Sequence, residues 1–251
     1  MAIIDLATQY GLIGYPLGHS FSKQYFEEKF VKENLHHCIF NLFPLVNVNE
    51  FDQIIDTYQY LKGMAVTIPH KQNIIPLLHT ISEEAKTIGA VNCIKIKNGY
   101  TIGYNTDVVG FEQSLVPLLL PHHTSALVLG TGGASKAVQY VLKKLGINFT
   151  LVSRNKNMQS GIINYQDIST IMLQKNTLII NTTPLGMVPS VHTYPHLDYS
   201  QLTKKHLCYD LVYKPQTTLF LQKCAAHGAV VKNGFEMLIL QAEENWKIWN
   251  S

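Results

Sequence analysis

The stretch VTIPHK, residues 66–71, sets a lysine two positions past the proline that closes a β-branched run. Lys71 is there either as a solubilising charge at a strand end or as a group that moves a proton, since a lysine pKa responds strongly to burial and to neighbouring charge. Two further stretches carry hydroxyls and acids at helix starts. IGYPLGHSFSK offers Ser20 and Ser22, and YNTDVVGF offers Asn105, Thr106 and Asp107. Taken singly, each fits the simpler role of a helix cap, where a side-chain oxygen accepts a backbone N–H.

The most explicit chemistry lies in ALVLGTGGASKAVQYVL, which runs strand, glycine turn, helix. Gly130 permits the tight turn, Gly132 permits close approach of a pyrophosphate, and the free N–H groups of the helix start face the anion. The strict pattern has Gly or Ala where this chain has Ser135, so the string alone would also suit a ligand-free turn. The buried strand before it and the amphipathic helix after it favour a dinucleotide. An NAD site usually carries an acid about 20 residues further on. Here the next strand ends in Ser153 and Arg154, with Lys156 beyond, and the nearest acid is Asp167. A guanidinium pairs with a 2′-phosphate that a carboxylate would repel, so NADP is the expected cofactor.

These residues need elements to hold them. YGLIG, CIFNLF and GMAVTI read as strands, with helices in SKQYFEEKFVKEN and VNEFDQIIDTYQYL, the latter placing Phe51, Ile54, Ile55 and Tyr58 on one face. AVNCIKIKNGYTIGYN reads as a hairpin turning at Asn98-Gly99. A second alternating block follows: DVVGFEQSLVPLL as helix, SALVLG as strand, then SKAVQYVLKKL with Ala137, Val138, Val141, Leu142 and Leu145 on one face and a stop at Gly146. NFTLVS, TLIINTT, LCYDLVY and GAVVKNG continue the strands, and FEMLILQAEENWKIW is a final helix. Strands alternating with helices imply an α/β protein with parallel sheets covered on both sides.

Bulk properties bound the class. The 251 residues are 46% hydrophobic and 15% charged with a net charge of +3, an ordinary globular balance too weakly basic for a nucleic-acid or membrane surface. Apolar runs such as LVPLLLP fall far short of the roughly 20 residues that span a bilayer, and the opening MAIIDLATQYG lacks the apolar core of a signal peptide. A cytoplasmic protein is expected. Cys38, Cys93, Cys208 and Cys224 are widely spaced, which fits reduced thiols and no metal site.

Read as an ordered set, GYPLGHSFS, VTIPHK, GAVN, YNTDVVG, GTGGAS, NTTPLGM, YDLVYKP and NGFEMLILQA resemble the shikimate dehydrogenase family over residues 10–248. The resemblance implies an N-terminal α/β substrate domain over 1–105, completed by a C-terminal helix at 235–251, a Rossmann-type NADP-binding domain over 106–234, and a cleft between them. It implies reversible reduction of 3-dehydroshikimate to shikimate, in aromatic amino-acid biosynthesis, on a small-molecule substrate by a monomer or homodimer. By motif position Lys71 and Asp107 are the catalytic pair. Ser20 and Ser22 hold the substrate carboxylate, Thr67, Asn92, Asp107 and Gln241 take ring hydroxyls, and Tyr213 lies at the cleft. Gly130, Gly132, Gly133 and Ala134 cradle the pyrophosphate, Ser153 and Arg154 flank the adenosine phosphate, and Met187 and Gly234 lie by the nicotinamide.

The chain departs from the family pattern at Lys23, where proline is usual, at Ala65, where asparagine is usual, and in SRNKN, which replaces the commoner Asn-Arg-Thr clamp. Three other readings compete. An NAD-using quinate/shikimate dehydrogenase is opposed by Arg154, and a catalytically silent dinucleotide-binding regulator by the presence of both Lys71 and Asp107. A folate-type dehydrogenase would leave the paired serines without a purpose.

Overall fold

The computed structural model describes residues 7–18, 20–154 and 161–251. The chain divides into two compact units, one formed by residues up to Thr106 together with Ala242–Ser251, the other by Asp107–Gln241. Sequence reading assigns the whole C-terminal helix to the first unit, but the division falls part-way along that helix. Among the described residues no helix is long and apolar enough to cross a membrane.

The first unit runs β1 (Thr8–Gly14), α1 (Phe21–Lys32), β2 (Cys38–Pro44), α2 (Phe51–Thr57), β3 (Leu61–Val66), β4 (Thr80–Ile81), α3 (Glu83–Ile88), β5 (Cys93–Lys97) and β6 (Tyr100–Tyr104). Its sheet has the order β2-β1-β3-β5-β6-β4. The strand–helix alternation implied parallel sheets and the hairpin an antiparallel pair, and this sheet is mixed. β1 is parallel to β2 and β3, whereas β5 is antiparallel to both β3 and β6. The hairpin causes this: Asn98 (φ 51°) and Gly99 (φ 75°) both take the left-handed conformation that a two-residue turn of this hand requires. One face of the sheet packs Ile13, Phe51, Ile54, Met64, Ile74 and Ile94 into a core. The other carries an aromatic cluster of Tyr10, Phe26, Phe30, Phe40 and Trp249, with Trp246 against it.

The second unit runs α4 (Asp107–Leu115), β7 (Ser125–Leu129), α5 (Gly133–Lys144), β8 (Asn148–Val152), β9 (Ile162–Ile163), α6 (Thr170–Lys175), β10 (Leu178–Asn181), β11 (Leu207–Asp210), α7 (Leu219–Ala226) and β12 (Val230–Asn233). All of its strand pairings are parallel, in the order β12-β11-β10-β7-β8-β9. Counted from β7, the order runs outward on one side and then the other, so the chain reverses direction across the sheet between β7 and β10. That switch point is where doubly wound sheets bind dinucleotides. β7 is buried at every position, and α5 buries Ala137, Val138, Val141 and Leu142 as its periodicity predicts.

The last helix, α8 (Phe235–Trp249), serves both units. Near its start a Cβ on Gly110 of α4 would lie 2.5 Å from the Met237 carbonyl oxygen, so glycine there is what allows the two helices to approach. Near its end Trp249 stacks on Tyr10 with centroids 5.2 Å apart, and a Cβ on Gly63 would collide with the Trp249 indole at 2.1 Å.

Candidate active site

In the first unit the predicted residues gather at one edge of the sheet. Ile13 pairs with Val66, Ala65 with Cys93 and Cys93 with Tyr104, so the ends of β1, β3 and β6 and the start of antiparallel β5 lie side by side. Thr67 follows β3, and a Cβ on Gly14 would lie 2.4 Å from the Thr67 methyl, so the glycine makes room for it. Asn92 precedes β5 and is 2% exposed. Its Oδ1 accepts from the Thr106 backbone N–H at 2.6 Å, and its Nδ2 donates to the Thr106 hydroxyl at 3.0 Å. That hydroxyl in turn donates to Asn245 Oδ1 of α8 at 2.6 Å. Asn105 adds a third tie, donating from Nδ2 to the Ala90 carbonyl at 2.9 Å.

Lys71 is half-buried beside this edge. Its carbonyl accepts from Val91 N–H at 2.7 Å, linking VTIPHK to GAVN. The preceding His70 is buried and donates from Nε2 to the Leu45 carbonyl at 2.6 Å, fastening the lysine's loop to the one after β2. His70 and Asn245 are positioning residues that sequence reading missed. The histidine beside Lys71 was the available signal, whereas nothing in the C-terminal helix pattern singles out Asn245. Ser20 and Ser22 begin α1. Ser20 is its cap, accepting the Lys23 N–H at 3.3 Å, and its hydroxyl hydrogen can still be donated. Ser22 lies half-buried in the first turn.

In the second unit the C-terminal ends of β8, β7, β10, β11 and β12 are aligned, with Val152 opposite Leu129, Leu129 opposite Asn181, Asn181 opposite Asp210 and Asp210 opposite Asn233. Every predicted cofactor residue lies just beyond that line: Gly130–Ala134 after β7, Ser153 and Arg154 after β8, Met187 in the loop after β10, and Gly234 after β12. Gly130 has φ 110°, and a Cβ on it would lie 2.6 Å from the Thr182 hydroxyl. At Gly132, the N-cap of α5, a Cβ would meet nothing within 4 Å, so the space over the helix start is open. This glycine turn, open over the helix start, fits a pyrophosphate. Ser135, the departure from the strict pattern, is fully buried and donates to the Gly130 carbonyl at 2.8 Å, pinning the turn from inside.

Arg154 is exposed and close enough to Tyr165 that its charge opposes the upward push of burial on that phenol. Lys156 lies outside the described residues. Gly234 answers a need of the chain itself, since a Cβ would lie 2.1 Å from the Leu211 carbonyl oxygen. Met187 is 40% exposed. Asp107 opens α4 and is buried, and Gln241 is buried on α8 with Nε2 donating to the Leu238 carbonyl at 2.9 Å. Burial raises the Tyr213 phenol pKa.

Against known proteins, residues 12–94 match the family model described as the shikimate dehydrogenase substrate binding domain. A shikimate dehydrogenase (NADP(+)) of Methanococcus maripaludis is 35% identical, with 98% of this chain and 93% of the relative aligned. This chain belongs to the shikimate dehydrogenase family. The crystal structure of shikimate dehydrogenase from Aquifex aeolicus superposes with a TM-score of 0.84 at 34% identity, covering 97% of this chain and 92% of the other. A quinate dehydrogenase from Corynebacterium glutamicum in complex with NAD superposes equally well, with a TM-score of 0.85 at 26% identity over 97% and 93% of the two chains. Backbone shape therefore does not separate the two cofactors, and family members must be told apart by side chains.

Proposed function

We propose that this protein catalyses the reversible NADPH-dependent reduction of 3-dehydroshikimate to shikimate, with Lys71 and Asp107 as its catalytic pair. The observation that carries the reading is the meeting of VTIPHK, GAVN and residues 104–106 at one edge of the first sheet, together with a glycine-cradled switch point in the second, within a chain of this family. Bound NADPH supplies the hydride. The Lys71 ammonium stabilises the negative charge that develops on the ketone oxygen and delivers the proton there, contributions worth roughly 10²–10⁴ in rate. Asp107 is the second member of the pair, and in the oxidative direction the pair accepts the proton from the alcohol. Ser20 and Ser22 at the start of α1 hold the substrate carboxylate without an arginine. Thr67, Asn92, Gln241 and Tyr213 address the ring, so an analogue lacking a hydroxyl leaves buried partners unpaired and is rejected.

Gly130, Gly132, Gly133 and Ala134 take the pyrophosphate, Ser153 and Arg154 the adenosine 2′-phosphate, and Met187 and Gly234 the nicotinamide side. The enzyme works in the cytoplasm, as a monomer or homodimer, within aromatic amino-acid biosynthesis. Absorbance at the reduced-nicotinamide band, with shikimate or quinate offered to NADP⁺ or NAD⁺ in turn, tests this. Fast reduction is expected for shikimate with NADP⁺; faster turnover of quinate with NAD⁺ would instead make the chain a quinate dehydrogenase. In the same assay Arg154→Ala is expected to raise the KM for NADP⁺ roughly tenfold and leave that for NAD⁺ unchanged.

A further inference from the structure

The second unit contains a buried carboxylate that the reaction does not use. Asp210 ends β11, is fully buried, and accepts hydrogen bonds from three different residues. Oδ1 takes Asn181 Nδ2 at 2.9 Å from the end of β10 and the Val212 backbone N–H at 3.0 Å from the loop that follows. Oδ2 takes the Thr218 hydroxyl at 2.6 Å. Each partner is itself committed. Asn181 Oδ1 accepts from the Thr183 N–H at 3.0 Å and from its hydroxyl at 2.6 Å, and Thr218 Oγ caps α7 by accepting the Leu221 N–H at 3.3 Å.

These bonds converge on the loops that carry Met187 and lead to Gly234, the residues assigned to the nicotinamide side. Thr183 Oγ accepts the Leu185 N–H at 3.3 Å, two residues before Met187. A Cβ on Gly186 would lie 3.2 Å from Thr218 Cβ, so that loop packs directly on the capped threonine. Leu211 donates its N–H to the Asn181 carbonyl at 2.9 Å, and Gly234 donates to the Val212 carbonyl at 3.2 Å. The glycine turn at 130–134 is braced from inside by Ser135, and Thr182 borders it, its N–H and hydroxyl donating to the Leu129 carbonyl at 2.8 and 2.7 Å.

We propose that Asp210 is a positioning residue for the nicotinamide half of the cofactor, holding the 183–187 and 211–218 loops in one arrangement while the adenosine half, addressed by Ser153 and Arg154 beyond β8, is held independently of it. A burial this complete is costly for a carboxylate, and it is sustained by bonds that serve no core-packing need. The inference rests on the NADP reading of this unit, and its test reads binding directly so that the two can fail separately. Calorimetric titration of the full chain with NADP⁺ and with adenosine 2′,5′-bisphosphate compares wild type, Asp210→Asn, Thr218→Val and Thr218→Ser. Asp210→Asn is expected to weaken NADP⁺ roughly tenfold and leave the bisphosphate unchanged. Thr218→Val, which keeps the shape but removes the hydroxyl, is expected to do the same more weakly, and Thr218→Ser to bind as wild type does. Equal weakening of both ligands, or weakening of neither, overturns the proposal, and the threonine pair decides it should Asp210→Asn not fold. Wild type that binds neither ligand would instead refute the NADP reading.

Discussion

The two units hold their reactive residues by different means. In the first, the loops around Lys71 and Asn92 are tied without a carboxylate: amide to hydroxyl to amide through Asn92, Thr106 and Asn245, and a histidine to a backbone carbonyl. That network is completed by α8, whose far end is anchored in an aromatic cluster. In the second, one carboxylate collects the loops at the end of a parallel sheet, and burial raises its pKa from 3.8 to about 6 even though Thr218, Val212 and Asn181 oppose the shift. A mixed sheet brings chain segments of opposite direction to one edge, so side chains from distant motifs must be stitched together there. A parallel sheet delivers every loop to the same edge by topology alone, and what remains is to set the loops relative to one another.

The largest expected effect breaks the anchoring of the first unit. Trp249→Ala should destabilise it by about 3–5 kcal/mol, through the cavity left beside Tyr10, Phe26 and Gly63. Denaturant unfolding monitored near the aromatic cluster would check this; a loss under 1 kcal/mol would show that α8 is held elsewhere.

The next sharpens the contrast between charged and neutral networks. Because the folded pKa of Asp210 lies above its unfolded value, the folded state binds the extra proton between pH 3.8 and about 6. Its contribution to stability therefore falls as pH rises through that window, by up to about 3 kcal/mol. Asp210→Asn should remove that slope, so that its stability relative to wild type improves from below pH 4 to above pH 6; a constant difference across the window would contradict it. The Cys224 thiol pKa is raised by its hydrogen-bond contact with Cys208 and by burial, and the Asp210 charge adds to that shift. The smallest effect is expected for Asn245→Leu, about 1–3 kcal/mol because the Thr106 hydroxyl loses its acceptor on α8, with no dependence on pH between 4 and 7 because Asn92, Thr106 and Asn245 carry no ionisable group. A pH-dependent loss in urea melts would erase the distinction between the two units.

The second unit was the more legible in sequence. β7, the glycine turn and α5 form one continuous pattern of local signals, and Arg154 without a nearby acid speaks through its own charge. The Asn98-Gly99 hairpin was legible for the same reason, because turn residues announce their own dihedrals. The antiparallel place of β5 beside β3 was not, since pairing between distant strands leaves no local trace. Asn245 and Asp210 were missed on similar grounds. Each looks like an ordinary polar residue within an apolar helix or strand, and its importance comes from partners on other elements. Ser135 looked like a flaw in the glycine pattern and proves to be its internal brace.

If Lys71 moves the proton at the substrate's ketone oxygen, initial-rate kinetics of Lys71→Ala with shikimate and NADP⁺ will reveal it. The expected result is a kcat lowered by roughly 10²–10⁴ with the KM for shikimate little changed. Turnover close to that of wild type would remove Lys71 from the chemistry and return it to being a charge at the end of a strand.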